Sequence, residues 1–191
     1  VQKMEKDILL SPMKQSQQYM QLIQTLKNGT NPISLHGLNN SQKSHIAYGL
    51  YDELEQQICI LTYNDLEAQQ IYQDLKFYLK EKVLFFPTRD IVFYDIQAIS
   101  EEINEERIKT LDKLAQGDNC VVVASIESLL LKLTPPELYK KYQLSLKVGE
   151  SLHIQEVTET IITQGYERTE RVDAKGQFSI RGGIIDIFPP A

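Results

Sequence analysis

Apolar residues follow two different periods in the first two thirds of the chain, and together these periods predict alternating strands and helices. Continuous apolar runs, typical of strands buried on both faces of a parallel sheet, lie at residues 57–63, 82–86 and 119–124. A shorter strand is predicted at residues 31–36. Apolar positions spaced by three or four residues predict helices at 11–28, 37–55, 64–79, 101–116 and 125–133. We therefore expect an α/β domain with a doubly wound parallel sheet.

Local signals predict where several helices begin. Ser11 followed by Pro12 is typical of an N-cap and a first helical position. Asn64 is the expected cap of the helix at residues 64–79. Ser100 is expected to cap the helix at residues 101–116, whose early glutamates suit the positive end of the helix dipole.

The last third of the chain has the period of a half-buried sheet. Polar and apolar residues alternate from residue 177 to residue 181, so Phe178 and Ile180 should face a core. We expect Gln177, Ser179 and Arg181 to share the solvent face. Gly176 predicts a turn before this strand, and Gly182–Gly183 predicts a tight bend before an apolar strand at residues 184–188. This segment is interpreted as a β-meander with cations on its surface.

A change in composition at residues 134–136, Thr-Pro-Pro, predicts a boundary between two domains. Residues 1–134 are expected to form the α/β domain. Residues 135–191 are expected to form a smaller α+β domain, with a strand at residues 143–148, a helix at residues 153–163 and the meander. The chain stops just after a strand and two prolines, so we expect this second domain to continue beyond residue 191.

Composition narrows the classes of function. The net charge of -6 argues against broad electrostatic binding to nucleic acid, which needs phosphate-neutralising Lys and Arg. Cys59 and Cys120 lie in apolar runs and are expected to be buried, reduced thiols. The three histidines lack ligand spacing, so no zinc site is predicted. No apolar run approaches the roughly 20 residues of a membrane span, and the N-terminus is no signal peptide, so a soluble cytoplasmic protein is expected.

Residues 37–44, called here the phosphate-like loop, follow a predicted strand and open a predicted helix, the context of a Walker A loop. Gly37, Lys43 and Ser44 fit the pattern G-x-x-x-x-G-K-[ST]. Gln42 occupies the position of the second glycine, where its side chain obstructs the backbone that would curl around phosphates. A Walker B imitation at residues 91–95 lacks a second acidic residue. We interpret the loop as a degenerate nucleotide site that serves as a helix N-terminus.

Three hypotheses about function follow from the residues. The cationic surface of the meander favours a module that docks a partner protein, because no nucleophile, base or metal-ligand set lies near it. The alternative is an NTP-binding, helicase-type domain in which Lys43 and Ser44 function despite Gln42. A third reading is direct binding to DNA, which the net charge disfavours.

Several tracts together resemble the N-terminal module of the bacterial transcription-repair coupling factors, itself similar to the first domains of the excinuclease subunit UvrB. The tracts are the phosphate-like loop and residues 103–111, 121–125, 146–150 and 181–189. UvrB-like chains carry an intact Walker A loop and a long, tyrosine-rich hairpin after the third strand. Gln42 breaks the first feature, and the short connection from Phe86 to Ser100 leaves no room for the second. Both departures favour the coupling factors.

The resemblance implies specific partners and site residues. It implies a UvrB-like domain 1a without ATPase activity, followed by a domain 2 that docks the excision-repair protein UvrA. Arginines that contact UvrA in UvrB-type chains fall on Arg168, Ser179 and Arg181, of which Ser179 departs from the pattern; Arg171 and Phe178 are adjacent candidates. It implies no cofactor and no metal for this region. In the family, ATP and magnesium are used by downstream motor domains, and RNA polymerase and DNA are bound by downstream domains.

Overall fold

The computed structural model describes residues 2–89, 101–141 and 143–189. Val1–Thr88 and Gly117–Leu130 form one compact unit, and Arg89–Gln116 and Leu131–Ala191 form a second. The chain therefore leaves the first unit after Thr88, returns to it at Gly117 and leaves it again after Leu130.

The first unit is a small parallel sheet with helices. Its helices are α1 (Gln2–Lys14), α2 (Gln17–Lys27), α3 (Asn40–Leu54) and α4 (Asp65–Leu79). Its strands are β1 (Ile58–Thr62), β2 (Val83–Phe86) and β3 (Val121–Ser125), with 3-10 turns at Lys80–Lys82 and Glu127–Leu129. The strands lie in the order β1–β3–β2, and both pairs are parallel. This arrangement confirms the predicted α/β class.

The core of the first unit contains residues of α3, α4 and the sheet. Val121 and Val123 of the central strand β3 are fully buried. On α4, Ala68, Ile71 and Leu75 recur every three or four residues and are buried against this cluster. Burying one such large aliphatic side chain contributes about 1.5–3 kcal/mol. The helical period of the sequence thus fixes which face of α4 packs inward.

One carboxylate joins the carboxyl ends of the three strands. Asp65, the first residue of α4, accepts hydrogen bonds from the Thr88 hydroxyl at 2.7 Å and the Thr88 backbone N–H at 3.1 Å. The same carboxylate accepts a hydrogen bond from the Ser125 hydroxyl. Because Asp65 follows β1, Thr88 follows β2 and Ser125 ends β3, this cluster holds the three strand ends in register.

Three local predictions for the first unit are wrong. Residues 31–36 form no strand, since that backbone has no neighbouring strand in either described sheet. Pro12 lies inside α1 instead of at a helix start, and α2 begins after Ser16. The helix predicted at residues 125–133 is reduced to the 3-10 turn Glu127–Leu129.

Strand β1 is buried on one face only. Ile58 and Ile60 pack against the core, while Leu61 is 50% exposed. Cys120 is buried as predicted, but the prediction of a buried Cys59 is wrong, because Cys59 lies on the open face. Partial desolvation nevertheless raises the pKa of the Cys59 thiol.

The second unit combines helices with a small mixed sheet. Its helices are α5 (Glu101–Gln116), α6 (Pro136–Lys141) and α7 (Ile154–Thr163), and its strands are β4 (Glu167–Arg168), β5 (Gln177–Arg181) and β6 (Ile184–Phe188). The strand order is β4–β5–β6, with β4 parallel to β5 and β5 antiparallel to β6. The predicted α+β class is confirmed. Val157 and Ile161 form the buried stripe of α7.

Two predictions for the second unit need correction. Residues 143–148 form no strand, although their apolar residues alternate, because the described structure gives them no pairing partner. The predicted meander is a hairpin, β5–β6, with β4 added in parallel. The loop from residue 169 to residue 176 reverses twice, so that Glu167 and Arg168 pair with Gln177 and Phe178 in the same direction.

The predicted domain boundary between residues 134 and 135 remains a prediction. The compact units group α5 with the second unit, whereas the predicted domain 1–134 includes this helix. The Walker B imitation at residues 91–95 and the predicted cap Ser100 lie outside the described residues.

Candidate partner-docking site

The β5–β6 hairpin places its side chains on two distinct faces. Directly opposed residues of an antiparallel pair share a face, so Arg181 lies beside Ile184, and Ser179 lies beside Asp186. Phe178 belongs to the other face and is completely buried. The turn between the strands has two residues, and Gly182 adopts the left-handed backbone (φ 61°) that such a turn requires.

Arg181 is an exposed cation with one carboxylate partner in the described structure. Its Nη2 donates a hydrogen bond to Oδ2 of Asp186, the diagonal neighbour on β6. The Arg181 side chain is 68% exposed and that of Asp186 is 41% exposed. An ion pair this open to water contributes little to stability. A partner protein that offers its own carboxylate could therefore replace Asp186 at small cost.

Ser179 does not reach the solvent face that the sequence pattern predicts for it. It is 2% exposed, and its hydroxyl donates a hydrogen bond of 2.9 Å to the backbone oxygen of Glu170. The preceding loop covers this part of the strand: the Gln177 side-chain oxygen accepts hydrogen bonds from the backbone N–H groups of Asp173 and Ala174. Ser179 therefore holds the loop in place and presents no hydroxyl to a partner.

Arg168 and Arg171 precede the hairpin and are both exposed. Arg168 lies in β4 and pairs with Phe178, so the register places it on the face opposite to Arg181. Arg171 lies in the covering loop, where its side chain is 85% exposed and its Nε is 3.3 Å from Oδ1 of Asp173. Of the five predicted docking residues, the structure thus exposes the three arginines and buries Phe178 and Ser179.

The phosphate-like loop leads into α3 through a closed capping box. Gly37 has the positive φ of 80° that favours glycine. Asn39 caps the helix: its side-chain oxygen accepts a hydrogen bond of 2.9 Å from the Gln42 backbone N–H. In return, the Gln42 side-chain oxygen accepts a hydrogen bond of 2.9 Å from the Asn39 backbone N–H. The side chains of Asn39 and Gln42 therefore occupy two backbone donors that a phosphate would use.

The other two motif residues of this loop are also engaged. Lys43 Nζ lies 3.0 Å from Oε1 of Glu67 on α4. Ser44 is fully buried, and its hydroxyl donates a hydrogen bond of 3.1 Å to Oδ2 of Asp74. A phosphate at this loop would have to displace the capping box and separate Lys43 from Glu67. A magnesium ion would have to pull the Ser44 hydroxyl away from Asp74.

The sequence analysis did not name the carboxylate partners of Arg181, Lys43 and Ser44. The partner of Arg181, Asp186, could have been identified, because a two-residue turn at Gly182–Gly183 makes it the diagonal neighbour of Arg181. Glu67 and Asp74 were not, because their contacts with Lys43 and Ser44 depend on how α4 packs beside α3.

The described residues lack two further features, a metal-ligand cluster and a membrane-spanning helix. Residues 2–89, 101–141 and 143–189 contain no group of three or more His, Cys, Asp or Glu side chains arranged to hold a metal ion. None of the helices in these ranges combines the length and apolar character needed to cross a bilayer.

Two comparisons with known proteins find relatives that are consistent with one another. Residues 144–191 match the family model described as UvrB interaction domain. The chain is 32% identical over 177 residues to the transcription-repair-coupling factor of Bacillus subtilis (strain 168), an alignment that covers 92% of this chain and 15% of that protein. It is 34% identical over 154 residues to the transcription-repair-coupling factor of Staphylococcus aureus (strain USA300), covering 80% of this chain and 13% of that protein.

The chain therefore spans 13–15% of the length of these two relatives. The segment that matches the UvrB interaction domain contains α7, the β5–β6 hairpin and the three exposed arginines. The resemblance drawn from the sequence motifs is confirmed by both comparisons. The chain belongs to the N-terminal UvrB-homology modules of the transcription-repair-coupling factor family.

Proposed function

We propose that this module recruits UvrA during transcription-coupled nucleotide excision repair, and that it does so without ATPase activity of its own. The observation that carries the proposal is the position of Arg181: an exposed cation on a hairpin anchored by the buried Phe178. The same segment matches the UvrB interaction domain, whose name describes a domain for interaction. Arg171 adds exposed positive charge in the covering loop, and Arg168 is exposed on the face opposite to Arg181.

Charge and anchoring together suit protein docking. Arginine is enriched among residues that dominate protein interfaces, and its guanidinium binds carboxylates through two parallel hydrogen bonds. The strand that carries Arg181 pairs with β6 from Gln177 to Arg181 and with β4 at its first two residues, so the cation is presented by a regular secondary-structure element. We propose that the surface of UvrA that docks here is acidic and displaces Asp186 from Arg181.

The absence of nucleotide turnover is part of the same proposal. Gln42, Glu67 and Asp74 supply the contacts that would otherwise go to phosphates and magnesium. In the longer relatives, we place ATP and magnesium use, and the contacts with RNA polymerase and DNA, in regions outside this chain. The NTP-binding alternative predicts micromolar binding of a labelled ATP analogue that Lys43→Ala abolishes.

Co-elution with UvrA on a sizing column tests the proposal. The wild-type chain should co-elute with UvrA, and Arg181→Glu should elute separately. Lys82→Glu, an exposed lysine of the first unit, makes the same change of net charge and should co-elute like the wild type. Failure of the wild type to co-elute would contradict the proposed recruitment of UvrA. Co-elution of Arg181→Glu would contradict only the assignment of the docking surface to Arg181.

A further inference from the structure

The second unit contains a groove that lies apart from Arg181 and its hairpin partner Asp186. It has a volume of about 470 Å³ and lies along α5, facing residues 131–134 and the turn before β5. Ile108 and Leu111 of α5 line it together with Leu131 and Leu133. These four aliphatic side chains are not fully buried in the structure, and Leu133 is 37% exposed. The groove thus offers an apolar floor of a size that suits binding sites.

The remaining wall of the groove is rich in cations, and we call this site the basic groove. Among the described lining residues, four carry a positive charge, and Glu105 is the one carboxylate. Arg89 and Lys132 are exposed at the rim, while Arg107 is buried in the wall. Arg89, Lys132 and Lys175 are the exposed cations of the lining, and they make the rim positive although the whole chain carries a net charge of -6. An occupant with negative charge would therefore be attracted to the rim.

Glu105 indicates how a carboxylate binds at this rim. Its Oε1 accepts a hydrogen bond from Nζ of Lys175, across the groove from α5 to the turn before β5. The two side chains are 26% and 38% exposed, so water reaches the pair. A pair of this kind contributes little net stability and can exchange partners. A carboxylate from another molecule can thus take the place that Glu105 occupies.

We propose that the basic groove binds an acidic peptide segment of a partner protein, which inserts bulky apolar side chains between Ile108, Leu111 and Leu133. Acidic residues of the segment pair with Arg89, Lys132 and Lys175. A peptide fits better than a nucleic acid, because the described lining residues include no aromatic side chain on which bases could stack. Placement of apolar anchor residues in a hydrophobic groove is one of the recurring modes of peptide recognition.

This site is distinct from the proposed UvrA surface. Arg181 is not among the residues that line the groove, and Lys175 is not among the residues assigned to UvrA docking. A substitution at Lys132 should therefore leave UvrA binding unchanged, and a substitution at Arg181 should leave peptide binding unchanged. The two proposals can fail independently.

Selection from a displayed library of random peptides of about 12 residues tests the proposal. Peptides enriched on the immobilised chain should combine Asp or Glu with Leu, Ile, Met or Phe. The best peptide, labelled with fluorescein, is then titrated with the chain and followed by fluorescence polarisation. Enrichment of sequences without this combination would overturn the proposal.

Matched variants decide whether the selected peptide occupies the groove. Lys132→Glu should weaken its binding by about tenfold or more, since it reverses a rim charge. Glu105→Gln should strengthen binding by a few fold, because Lys175 is then released for the peptide. Lys82→Glu and Arg181→Glu should leave the affinity unchanged. Equal affinity of wild type and Lys132→Glu, or a labelled oligothymidine that binds in a Lys132-dependent way, would contradict the peptide assignment.

Discussion

Arg181 and Lys43 are both cations that the sequence motifs single out, but the structure surrounds them differently. Arg181 bonds the neighbouring Asp186 at the surface of a hairpin and remains 68% exposed. Lys43 is held by Glu67 from another helix, and the N–H groups of Asn39 and Gln42 beside it are already capped. A cation within a sequence motif can bind a ligand only where the hydrogen-bond donors around it are accessible. By this criterion the β5–β6 hairpin, and not the phosphate-like loop, is suited to binding.

The largest expected effect concerns the support of the hairpin. Phe178→Ala should lower the free energy of unfolding by about 3–5 kcal/mol, because Phe178 is completely buried and truncation leaves a cavity. Ile184→Ala, on the opposite face and 63% exposed, should have a much smaller effect. Urea unfolding of both variants measures this difference. Equal stability of the two variants would contradict the placement of Phe178 in the core.

A smaller effect is expected at the phosphate-like loop. Asn39→Ala should lower the free energy of unfolding by about 1 kcal/mol, since it removes the side-chain cap of α3. Ser41→Ala, an exposed position in the same turn, serves as the control and should change stability less. The measurement is again urea unfolding. An unchanged stability of Asn39→Ala would mean that the capping box does not hold the loop closed.

The smallest effects on stability are expected at the two ion pairs, where they separate binding from folding. Asp186→Asn and Glu67→Gln should each change the free energy of unfolding by less than about 1 kcal/mol. Asp186→Asn should raise the affinity for UvrA, because Arg181 loses its competing partner. Glu67→Gln should not create ATP binding, because the capping box remains. Titration calorimetry with UvrA and with Mg-ATP checks both statements, and ATP binding by Glu67→Gln would contradict the second.

The fold was predictable where the signal is local. The apolar runs of β2 and β3, the period of α4 and the alternation of β5 all follow from neighbouring residues. The strands predicted at residues 31–36 and 143–148 are absent, because a strand needs a pairing partner and local patterns do not reveal one. The open face of β1 was not predictable either, because the covering of a sheet face depends on how other elements pack against it and not on the residues of the strand alone.

The candidate site was predictable in part for the same reason. Exposure of Arg181 follows from the alternation of β5, whereas burial of Ser179 depends on a loop that folds over the strand. The sequence alone showed that Gln42 stands where the Walker A pattern requires glycine, and this predicted a loop unsuited to binding phosphate. That Gln42 also completes a capping box with Asn39 required the helix start to be placed at Asn40, three residues later than the motif begins.

The affinity of the chain for UvrA, measured by titration calorimetry for the wild type, Arg181→Glu and Lys82→Glu, tests the central claim most directly. If Arg181 is a central contact, its reversal should cost about 2–4 kcal/mol of binding free energy, which corresponds to a loss of affinity of roughly 30-fold to 1000-fold. Lys82→Glu should bind like the wild type. Equal affinities for Arg181→Glu and the wild type would contradict the claim that UvrA docks on the β5–β6 hairpin.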